Sequence, residues 1–297
     1  MKKLIAITLA ALMIFSFAAC GNNDNTTNDN SNTAIKIADA KSLKDLKGMK
    51  IAAQFGTFHE KALTQIEEVQ SSTYPEFSDL LTALNSGAID GYVSEEPTAL
   101  AESLKDDTIT YLPLVNNDTG FTATAADTGI AIATKKGSEL RDTIDAVIAT
   151  IPEETKKELM EQMVKLANGE TIEKLALESE APETTTGTLK IGMECAYQPF
   201  NWTETSAKSL GAVAISGEGK DGLYANGYDV QIAQYVANKL GLKLEVYAIE
   251  WDSLLPALNS GTIDAVCAGM SPTAERAEEV DFTQTYYESN LVIIIKK

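Results

Sequence analysis

The sequence contains little histidine, little cysteine and little positive charge. It has one His and three Cys in 297 residues, and its 24 Lys and Arg stand against 43 Asp and Glu, for a formal net charge of −19. One His leaves no His-based metal site, and three Cys exclude a disulfide-rich scaffold. Because phosphate binding depends on clustered Lys and Arg, the charge balance argues against a nucleic-acid partner. We therefore expect no metal, no other cofactor and no nucleic acid.

Long hydrophobic runs are also scarce, and the longest lies near the N-terminus. Lys2 and Lys3 precede an apolar stretch at residues 4–17, which is the pattern of an export signal. This stretch is short for a membrane span, and no other run approaches about 18 apolar residues. The small residues before Cys20 resemble the lipobox of bacterial lipoproteins, in which this Cys is diacylated and becomes the mature N-terminus. A plain secretory signal with an incidental Cys is the alternative.

The segment that follows Cys20 is polar. Residues 21–33 contain no apolar side chain that could enter a core. We interpret residues 1–19 as a signal peptide and residues 20–37 as the lipidated Cys with a flexible tether. The expected location is extracytoplasmic, at the outer face of the bacterial cell membrane, with the lipid anchor as the only membrane contact.

An internal echo divides the rest of the chain. Residues 80–90 read LLTALNSGAID and residues 254–264 read LLPALNSGTID, which are identical at nine of eleven positions. In each copy the leucines have helical spacing, Asn-Ser-Gly ends the helix, and Ile-Asp begins a strand. Strand-like runs precede the copies at 50–55 and 243–249. The echo predicts two similar α/β lobes, with a ligand cleft between them. A duplication without a cleft is the alternative.

Several motifs together resemble one known family. AGMSPTAER, DFTQTYY, GYDVQIA, EWDSLLPALNSGTIDA and IGMECAYQPFNW are similar to motifs of the polar amino-acid substrate-binding proteins of ABC transporters. These are the family-3 solute-binding proteins, which have the type-II periplasmic-binding fold. The resemblance covers about residues 38–297. It implies an α/β protein of two lobes, each a mixed sheet flanked by helices, with the ligand cleft between the lobes.

The order of the segments differs from the usual order in that family. Family members ordinarily begin with a lobe whose first strand resembles residues 189–200, whereas here a segment typical of the second lobe comes first, at 42–60. We interpret the chain as a circular permutation. Residues 38–130 would be equivalent to the family's second lobe and residues 189–297 to its first. A tandem of two such proteins, truncated at both ends, is the alternative.

The permutation predicts how the lobes are connected. Residues 131–177 are expected to form a hinge crossover and helices that pack on the C-terminal lobe. The acidic, Thr-rich residues 178–188 would form the permutation linker, since exposed termini can be bridged by a polar segment. One covalent hinge would then join the lobes, and residues 291–297 would contribute at best by strand pairing. We expect a monomer whose lobes still close on the ligand.

In the C-terminal lobe the resemblance carries binding residues over by position. Arg276 matches the Arg that grips the ligand α-carboxylate, with Ser271 and the backbone of Gly269 beside it. A guanidinium, a hydroxyl and backbone donors suit one carboxylate. Trp251 matches the aromatic residue that covers the ligand side chain, and Tyr197 matches a second wall. A surface salt bridge for Arg276 and core positions for the two aromatic residues are the alternatives.

In the N-terminal lobe the QFGTFHE loop matches the loop that completes the carboxylate site. Thr57 and Glu60 have the spacing of a capping box, which would make helix-start backbone donors available near Thr57. Phe58 stands where many relatives have a hydroxyl residue, and His59 stands where they often have Gln. Glu95 matches the acidic residue that pairs with the ligand α-ammonium, which is usually Asp in the family.

Two echoed carboxylates and two thiols have structural interpretations. Asp90 and Asp264 end the two copies of the echo, and we expect them at helix–strand junctions rather than in ligand contacts.

Cys195 and Cys267 lie at predicted strand ends beside the cleft. We expect two buried thiols there, with a disulfide as the alternative in an exported protein.

Glu194 decides the predicted ligand class. It matches the position at which relatives that bind Lys, Arg or His carry an acid that reaches the distal cation of the ligand. A carboxylate buried in a closing cleft needs a cationic partner, or its pKa rises and it becomes neutral. We therefore expect a basic amino acid. A neutral polar amino acid such as glutamine is the alternative.

The resemblance implies a binding component rather than an enzyme. Its partners would be an amino acid and an ABC permease with its ATPase. The same fold serves some dehydratases, which need a positioned acid or base. Here Glu194 and Glu95 are accounted for by ligand charges, and the sequence shows no nucleophile–His pair. A sensor module is a third alternative, although a signalling domain usually adjoins such a lobe.

Overall fold

The computed structural model describes residues 35–115 and 118–297. The predicted signal peptide and Cys20 lie outside the described residues, as does most of the predicted tether. Within the two described ranges, no helix combines the length and the apolar character that crossing a membrane requires.

The described ranges contain both β-strands and α-helices. The strands are β1 Ile51–Gln54, β2 Ser72–Tyr74, β3 Gly91–Glu95, β4 Ile109–Leu112, β5 Gly129–Ile130, β6 Ala133–Lys135, β7 Thr188–Met193, β8 Ala196–Tyr197, β9 Asn201–Glu204, β10 Val213–Ser216, β11 Tyr224–Asn226, β12 Lys243–Ala248, β13 Ala265–Val266, β14 Val280–Phe282, β15 Tyr287–Glu288 and β16 Leu291–Lys296. The α-helices are α1 Phe58–Ala62, α2 Phe77–Ser86, α3 Glu96–Lys105, α4 Ala125–Thr128, α5 Glu139–Ile148, α6 Glu153–Ala167, α7 Tyr228–Lys239, α8 Leu254–Ser260 and α9 Arg276–Glu279.

Two mixed sheets define two lobes. The first lobe is built on a five-stranded sheet of order β2-β1-β3-β16-β4, and the second on a nine-stranded sheet of order β14-β6-β13-β7-β12-β10-β11-β9-β8. In the first sheet β2, β1 and β3 are parallel and β16 is antiparallel to its neighbours. In the second, β12, β7 and β13 are parallel and β6 is antiparallel to its neighbours. The prediction of two similar α/β lobes is therefore confirmed.

The echoed segments end their helices in the same way. Helices α2 and α8 are followed by Gly87 and Gly261, which have φ of 75° and 80°. Glycine adopts this left-handed conformation without steric cost, so the chain can turn sharply from each helix toward the next strand. The predicted Gly C-caps are confirmed.

The echoed carboxylates join each helix to its strand. Asp90 Oδ2 accepts a hydrogen bond from Lys50 N at 2.8 Å, and Asp264 Oδ2 accepts one from Lys190 N at 2.8 Å. In return the backbone N–H groups of Asp90 and Asp264 donate to the carbonyl oxygens of the same two lysines. Both aspartates therefore hold helix–strand junctions, as predicted.

The junction bonds have a measurable contribution to stability. We expect Asp90→Ala to lower the free energy of unfolding by about 1 kcal/mol, because a charge-assisted hydrogen bond to Lys50 is lost. Urea unfolding measures the change. Asp107→Ala is the matched control, since Asp107 is an exposed aspartate on the same lobe, and its change should stay within about 0.5 kcal/mol. Equal stability of the two variants would contradict the junction role.

Two covalent connections join the lobes. The chain passes from α4 through β5 into the second sheet as β6, and it returns through β15 into the first sheet as β16. The connecting strands β5 and β15 pair antiparallel, with Tyr287 opposite Ile130. The hinge is therefore a two-stranded ribbon rather than one covalent segment.

The last strand lies in a different lobe from the one expected. Residues 291–295 are buried, and β16 lies between β3 and β4 in the first sheet. A continuous apolar run must be covered on both faces, and a central strand provides that cover. The predicted boundary of 189–297 is therefore corrected, because β16 belongs to the first lobe.

Two helices after the first crossover complete the packing. Helix α5 packs against α7 of the second lobe, and α6 packs against both α7 and α3. Residues 178–187 contain no helix or strand and are largely exposed.

Candidate functional site

Strand β1 of the first lobe and strand β7 of the second lobe end opposite each other. Gln54 is the last residue of β1, and Glu194 directly follows β7. Both side chains are buried, and Gln54 Nε2 donates to Glu194 Oε1 at 2.8 Å. Ligands of α/β sheets bind beyond the carboxyl ends of the strands. The two sheets therefore place Glu194 at the contact between the lobes.

A cavity of about 20 Å³ lies between the lobes at this point. The residues that line it are Gln54, Thr57, Phe58, His59, Phe77, Glu95, Tyr197, Trp251, Ala268, Gly269, Ser271 and Arg276. Nine of the ten ligand-binding residues predicted from the sequence are among them, and the tenth, Glu194, is hydrogen-bonded to Gln54. This volume holds about one water molecule. The cavity is therefore too small to hold an amino acid in this arrangement.

The guanidinium of Arg276 connects the lobes at one wall. Arg276 Nη1 donates to the Ser271 carbonyl oxygen and Nη2 donates to the Gly56 carbonyl oxygen, each at 2.9 Å. Its guanidinium carbon lies 5.1 Å from the centre of the Trp251 ring, a cation–π distance. Burial lowers the pKa of Arg276 to about 10, so the side chain remains a cation at neutral pH.

Gly269 lets an aromatic ring approach the backbone beside Arg276. Gly269 has φ of 62°, and a Cβ built there would lie 3.0 Å from Tyr197 Cε1. Both the left-handed backbone and the close ring require glycine at this position. The small residue thus lets the Tyr197 ring form a wall of the cavity.

Two aromatic rings from opposite lobes stack in the cavity. The centres of the Phe77 and Tyr197 rings are 4.0 Å apart with an angle of 8° between their planes. Phe77 is the first residue of α2. Its position in the first lobe is equivalent to that of Trp251 in the second, because the two residues are 174 positions apart, as are the echoed segments. The two lobes are therefore in direct contact through these rings.

Sequence reasoning missed three of the lining residues, Gln54, Phe77 and Ala268. The internal echo could have identified Phe77. The two echoed helices are 174 residues apart, and Phe77 is 174 residues before the predicted Trp251. Gln54 is the first residue of the QFGTFHE loop, but local sequence does not show its hydrogen bond to Glu194, which comes from the other lobe.

A buried histidine and carboxylate form the wall of the first lobe. His59 Nε2 lies 2.9 Å from Glu95 Oε1, and the side chains are 7% and 5% exposed. Within the described ranges, three buried atoms of lining residues have no hydrogen-bond partner: His59 Nδ1, Glu95 Oε2 and Tyr197 Oη. Each such atom costs about 1–3 kcal/mol. A polar ligand would supply the missing partners.

Thr57 caps the short helix α1 beside this pair. Its Oγ1 accepts from Glu60 N at 3.4 Å and donates to the Gln54 carbonyl oxygen at 2.7 Å. Glu60 Oε2 accepts from Gly56 N at 2.7 Å rather than from Thr57 N. The cap is therefore present, but the reciprocal bond of the predicted capping box goes to the preceding residue.

The environment of Glu194 disfavours its charge. The pKa of Glu194 is raised to about 8, mainly by burial and also by the nearby Glu76 carboxylate, although the hydrogen bond from Gln54 acts in the opposite direction. At neutral pH the carboxyl is therefore mainly protonated in this closed arrangement. A cation placed beside it would favour the ionised form.

The two cysteines near the cleft are buried free thiols, as predicted. Burial raises the pKa of Cys195 to about 12 and the pKa of Cys267 well above its usual value. Neither thiol is therefore ionised at neutral pH.

One family model matches the C-terminal part of the chain. Residues 216–297 match the bacterial extracellular solute-binding proteins, family 3. The match covers less than a third of the chain. The matched part contains five of the residues that line the cavity between the lobes, namely Trp251, Ala268, Gly269, Ser271 and Arg276.

Curated relatives match over about a third of the chain. The arginine-binding extracellular protein ArtP of Bacillus subtilis is 42% identical over 109 residues, which are 37% of this chain and 36% of that protein. A probable histidine-binding protein of Campylobacter jejuni is 35% identical over 113 residues, 38% of each chain. The matched region thus spans less than two fifths of these relatives, which are binding proteins by name.

Solved structures also show similarity. The ligand-binding component of an ABC-type import system from Staphylococcus aureus aligns with a TM-score of 0.42 and 12% identity, over 84% of this chain and 65% of that chain. An ancestral amino-acid-binding protein, a precursor of cyclohexadienyl dehydratase, aligns with a TM-score of 0.26 and 32% identity, over 33% and 36% of the two chains.

Proposed function

We propose that this protein is the extracytoplasmic binding component of an ABC importer and that it captures an amino acid by closure of its lobes. The observation that carries the proposal is the pair of opposite charges in the interlobe cavity. Arg276 comes from the second lobe and Glu95 from the first. A guanidinium suits the α-carboxylate of an amino acid and a carboxylate suits its α-ammonium.

The proposed ligand is a basic amino acid, namely arginine, lysine or histidine. Glu194 is a third buried ionisable group at the cleft, and a distal cation on the ligand would offset the cost of its charge. The names of the arginine-binding and histidine-binding relatives support this class. A neutral polar amino acid such as glutamine is the second candidate, with Glu194 kept neutral and hydrogen-bonded to Gln54.

The proposal also includes attachment of the protein to the membrane by a lipid and a circularly permuted order of the lobes. Cys20 would carry the lipid anchor, and an ABC permease with its ATPase would receive the ligand from a monomeric binding protein. The circular permutation is supported by the matching strand orders of the two sheets and by the exposed segment 178–188, which would bridge the old termini. With β16 assigned to the first lobe, both hinge connections are retained.

A thermal-shift screen of all common amino acids tests the function. We expect arginine, lysine or histidine to raise the Tm by about 5–10 °C at 100 times its Kd, because a ligand that binds only the folded state stabilises it by about 2.7 kcal/mol. Agmatine, which is arginine without its α-carboxylate, is the control ligand and should give a much smaller shift. If no amino acid shifts the Tm, the proposal fails.

Lobe closure has its own measurement. Small-angle X-ray scattering should give a smaller radius of gyration at saturating ligand than without it, because the lobes come together around the ligand. An unchanged radius would contradict capture by closure.

A further inference from the structure

A buried carboxylate lies behind the cavity and is not part of its lining. Asp229, the second residue of α7, is 0% exposed. Its Oδ1 accepts from the Tyr286 hydroxyl at 2.6 Å, and its Oδ2 accepts from Asn201 Nδ2 at 2.8 Å. The backbone N–H of Gly269 is a third donor. These hydrogen bonds are what make a fully buried carboxylate tolerable.

The bond to Asn201 leads to the turn that carries Glu194. Asn201 Oδ1 accepts from Cys195 N at 2.7 Å. Cys195 directly follows Glu194 and has φ of 58°, a left-handed conformation that is unfavourable for residues other than glycine. The backbone of this turn is therefore held in place by Asn201, and Asn201 by Asp229.

The bond to Tyr286 leads to the hinge. Tyr286 is fully buried, and its backbone N–H donates to the Ile130 carbonyl oxygen at 2.8 Å. Ile130 belongs to β5 and pairs with Tyr287 of β15, the residue after Tyr286. The carboxylate of Asp229 is thus one hydrogen bond away from the ribbon that connects the lobes.

The bond from Gly269 leads to the cavity itself. Gly269 lines the cavity and lies against the Tyr197 ring. The pKa of Asp229 is raised to about 6, because burial outweighs the opposite effect of the hydrogen bonds from Tyr286, Asn201 and Gly269. At pH 7.5 the group is ionised and only accepts hydrogen bonds, so all three donors can be satisfied together.

We infer that Asp229 is a positioning residue that holds the Glu194 turn and the Gly269 wall in a fixed relation to the hinge. It does not contact the ligand, and it acts through Asn201, Gly269 and Tyr286. The inference rests on the proposed function for its effect on affinity, but its effect on the backbone can be measured without any ligand.

The test on affinity uses Asp229→Asn and a control on the same helix. An amide places a donor where the carboxylate has an acceptor, so one of the three donors loses its partner. We expect the Kd for the amino acid found in the thermal-shift screen to rise about 30-fold. Gln231→Ala is the control, because Gln231 is buried and its side chain bonds to Gly211 and Asn226. Its Kd should stay within about twofold of the wild-type value.

A second comparison separates positioning from a general loss of stability. If Asp229 acts through the Glu194 turn, the losses of binding free energy caused by Asp229→Asn and by Glu194→Gln should not be additive in the double variant. Tyr286→Phe removes the hydrogen bonds of the Tyr286 hydroxyl with Asp229 Oδ1 and Cys267 Sγ but keeps the backbone bond to Ile130, and it should raise the Kd about fivefold. Should Asp229→Asn fail to fold, Tyr286→Phe decides, and an unchanged Kd in that variant would overturn the inference.

Amide hydrogen exchange without ligand completes the test. We expect Asp229→Asn to speed exchange at the Gly269 and Cys195 amides at least tenfold relative to Gln231→Ala. Faster exchange in a protein that binds no amino acid would support the positioning role and refute the proposed function. Unchanged exchange in a folded Asp229→Asn variant would refute the positioning role, whatever the ligand.

Discussion

Replacing Arg276 with alanine is expected to weaken amino-acid binding at least 100-fold. The guanidinium is the cation of the cavity, and truncating one partner of a buried, hydrogen-bonded charge pair costs about 2–5 kcal/mol. The variant also loses the hydrogen bond to the Gly56 carbonyl oxygen and the contact with Trp251, both of which stabilise the closed arrangement. Isothermal titration with the ligand found in the screen measures the loss.

The chain offers a matched control for this substitution. Its other arginine, Arg141, lies on α5 in a surface pair with Asp142. Arg141→Ala should leave the Kd unchanged. Arg276→Lys should recover part of the affinity, because lysine keeps the charge but lacks the planar fork that matches a carboxylate. A Kd for Arg276→Ala within threefold of the wild type would exclude Arg276 from the binding site.

Replacing Glu194 with glutamine is expected to remove the preference for a basic amino acid. The affinity for arginine, lysine or histidine should fall at least 30-fold, because the distal cation loses its buried counter-charge. The affinity for glutamine should rise, since an amide can replace the protonated carboxyl as partner of Gln54 without the proton uptake that closure of the wild type requires. Isothermal titration of both ligand classes measures the difference, and undiminished affinity for the basic amino acids would contradict the cationic ligand.

Closure of the lobes is expected to change the protonation of the Glu194 carboxyl. With the lobes apart, Glu194 is expected to titrate near its ordinary value of 4.5, and in the closed cleft burial raises its pKa to about 8. At a pH between these two pKa values, closure over a neutral ligand is therefore accompanied by the uptake of a proton by Glu194. The closed form with a neutral ligand loses stability as the pH rises through about 8. Closure over a cationic ligand keeps Glu194 ionised and takes up none.

Titration calorimetry in two buffers of different ionisation enthalpy measures the proton exchange. At pH 7 a neutral amino acid should take up close to one proton, and Glu194→Gln should abolish the uptake. Glu76→Gln should reduce it, because the Glu76 charge contributes to the raised pKa of Glu194. Equal uptake by wild type and Glu194→Gln would assign the proton to another group.

The predicted ligand-binding residues that lie at the cleft belong to short, local segments. Gly269, Ser271 and Arg276 lie within eight residues, and Glu194 and Tyr197 lie within four. Local spacing of this kind already determines which groups a loop can present together. Whether they bind an amino acid remains a prediction, but their common location at the cleft is part of the structure.

The residues that were missed owe their position to the meeting of two lobes. Gln54 ends a strand 140 residues before Glu194, and Phe77 begins a helix 120 residues before Tyr197. Only lobe contact turns them into a hydrogen-bonded pair and a stacked pair. Asp229 is similar, because the GYDVQIA motif marks a helix start but does not show that Tyr286, Asn201 and Gly269 converge on its carboxylate.

By itself the sequence determined that this protein has two related α/β lobes, where their echoed helices end, and which loops carry charged and aromatic groups. These features depend on periodicity, turn residues and spacing, which act over a few residues. Only the tertiary structure decided that residues 291–296 complete the first sheet and that two strands form the hinge. An apolar run specifies burial but not the sheet that provides it, so the choice depends on contacts between segments far apart in the chain.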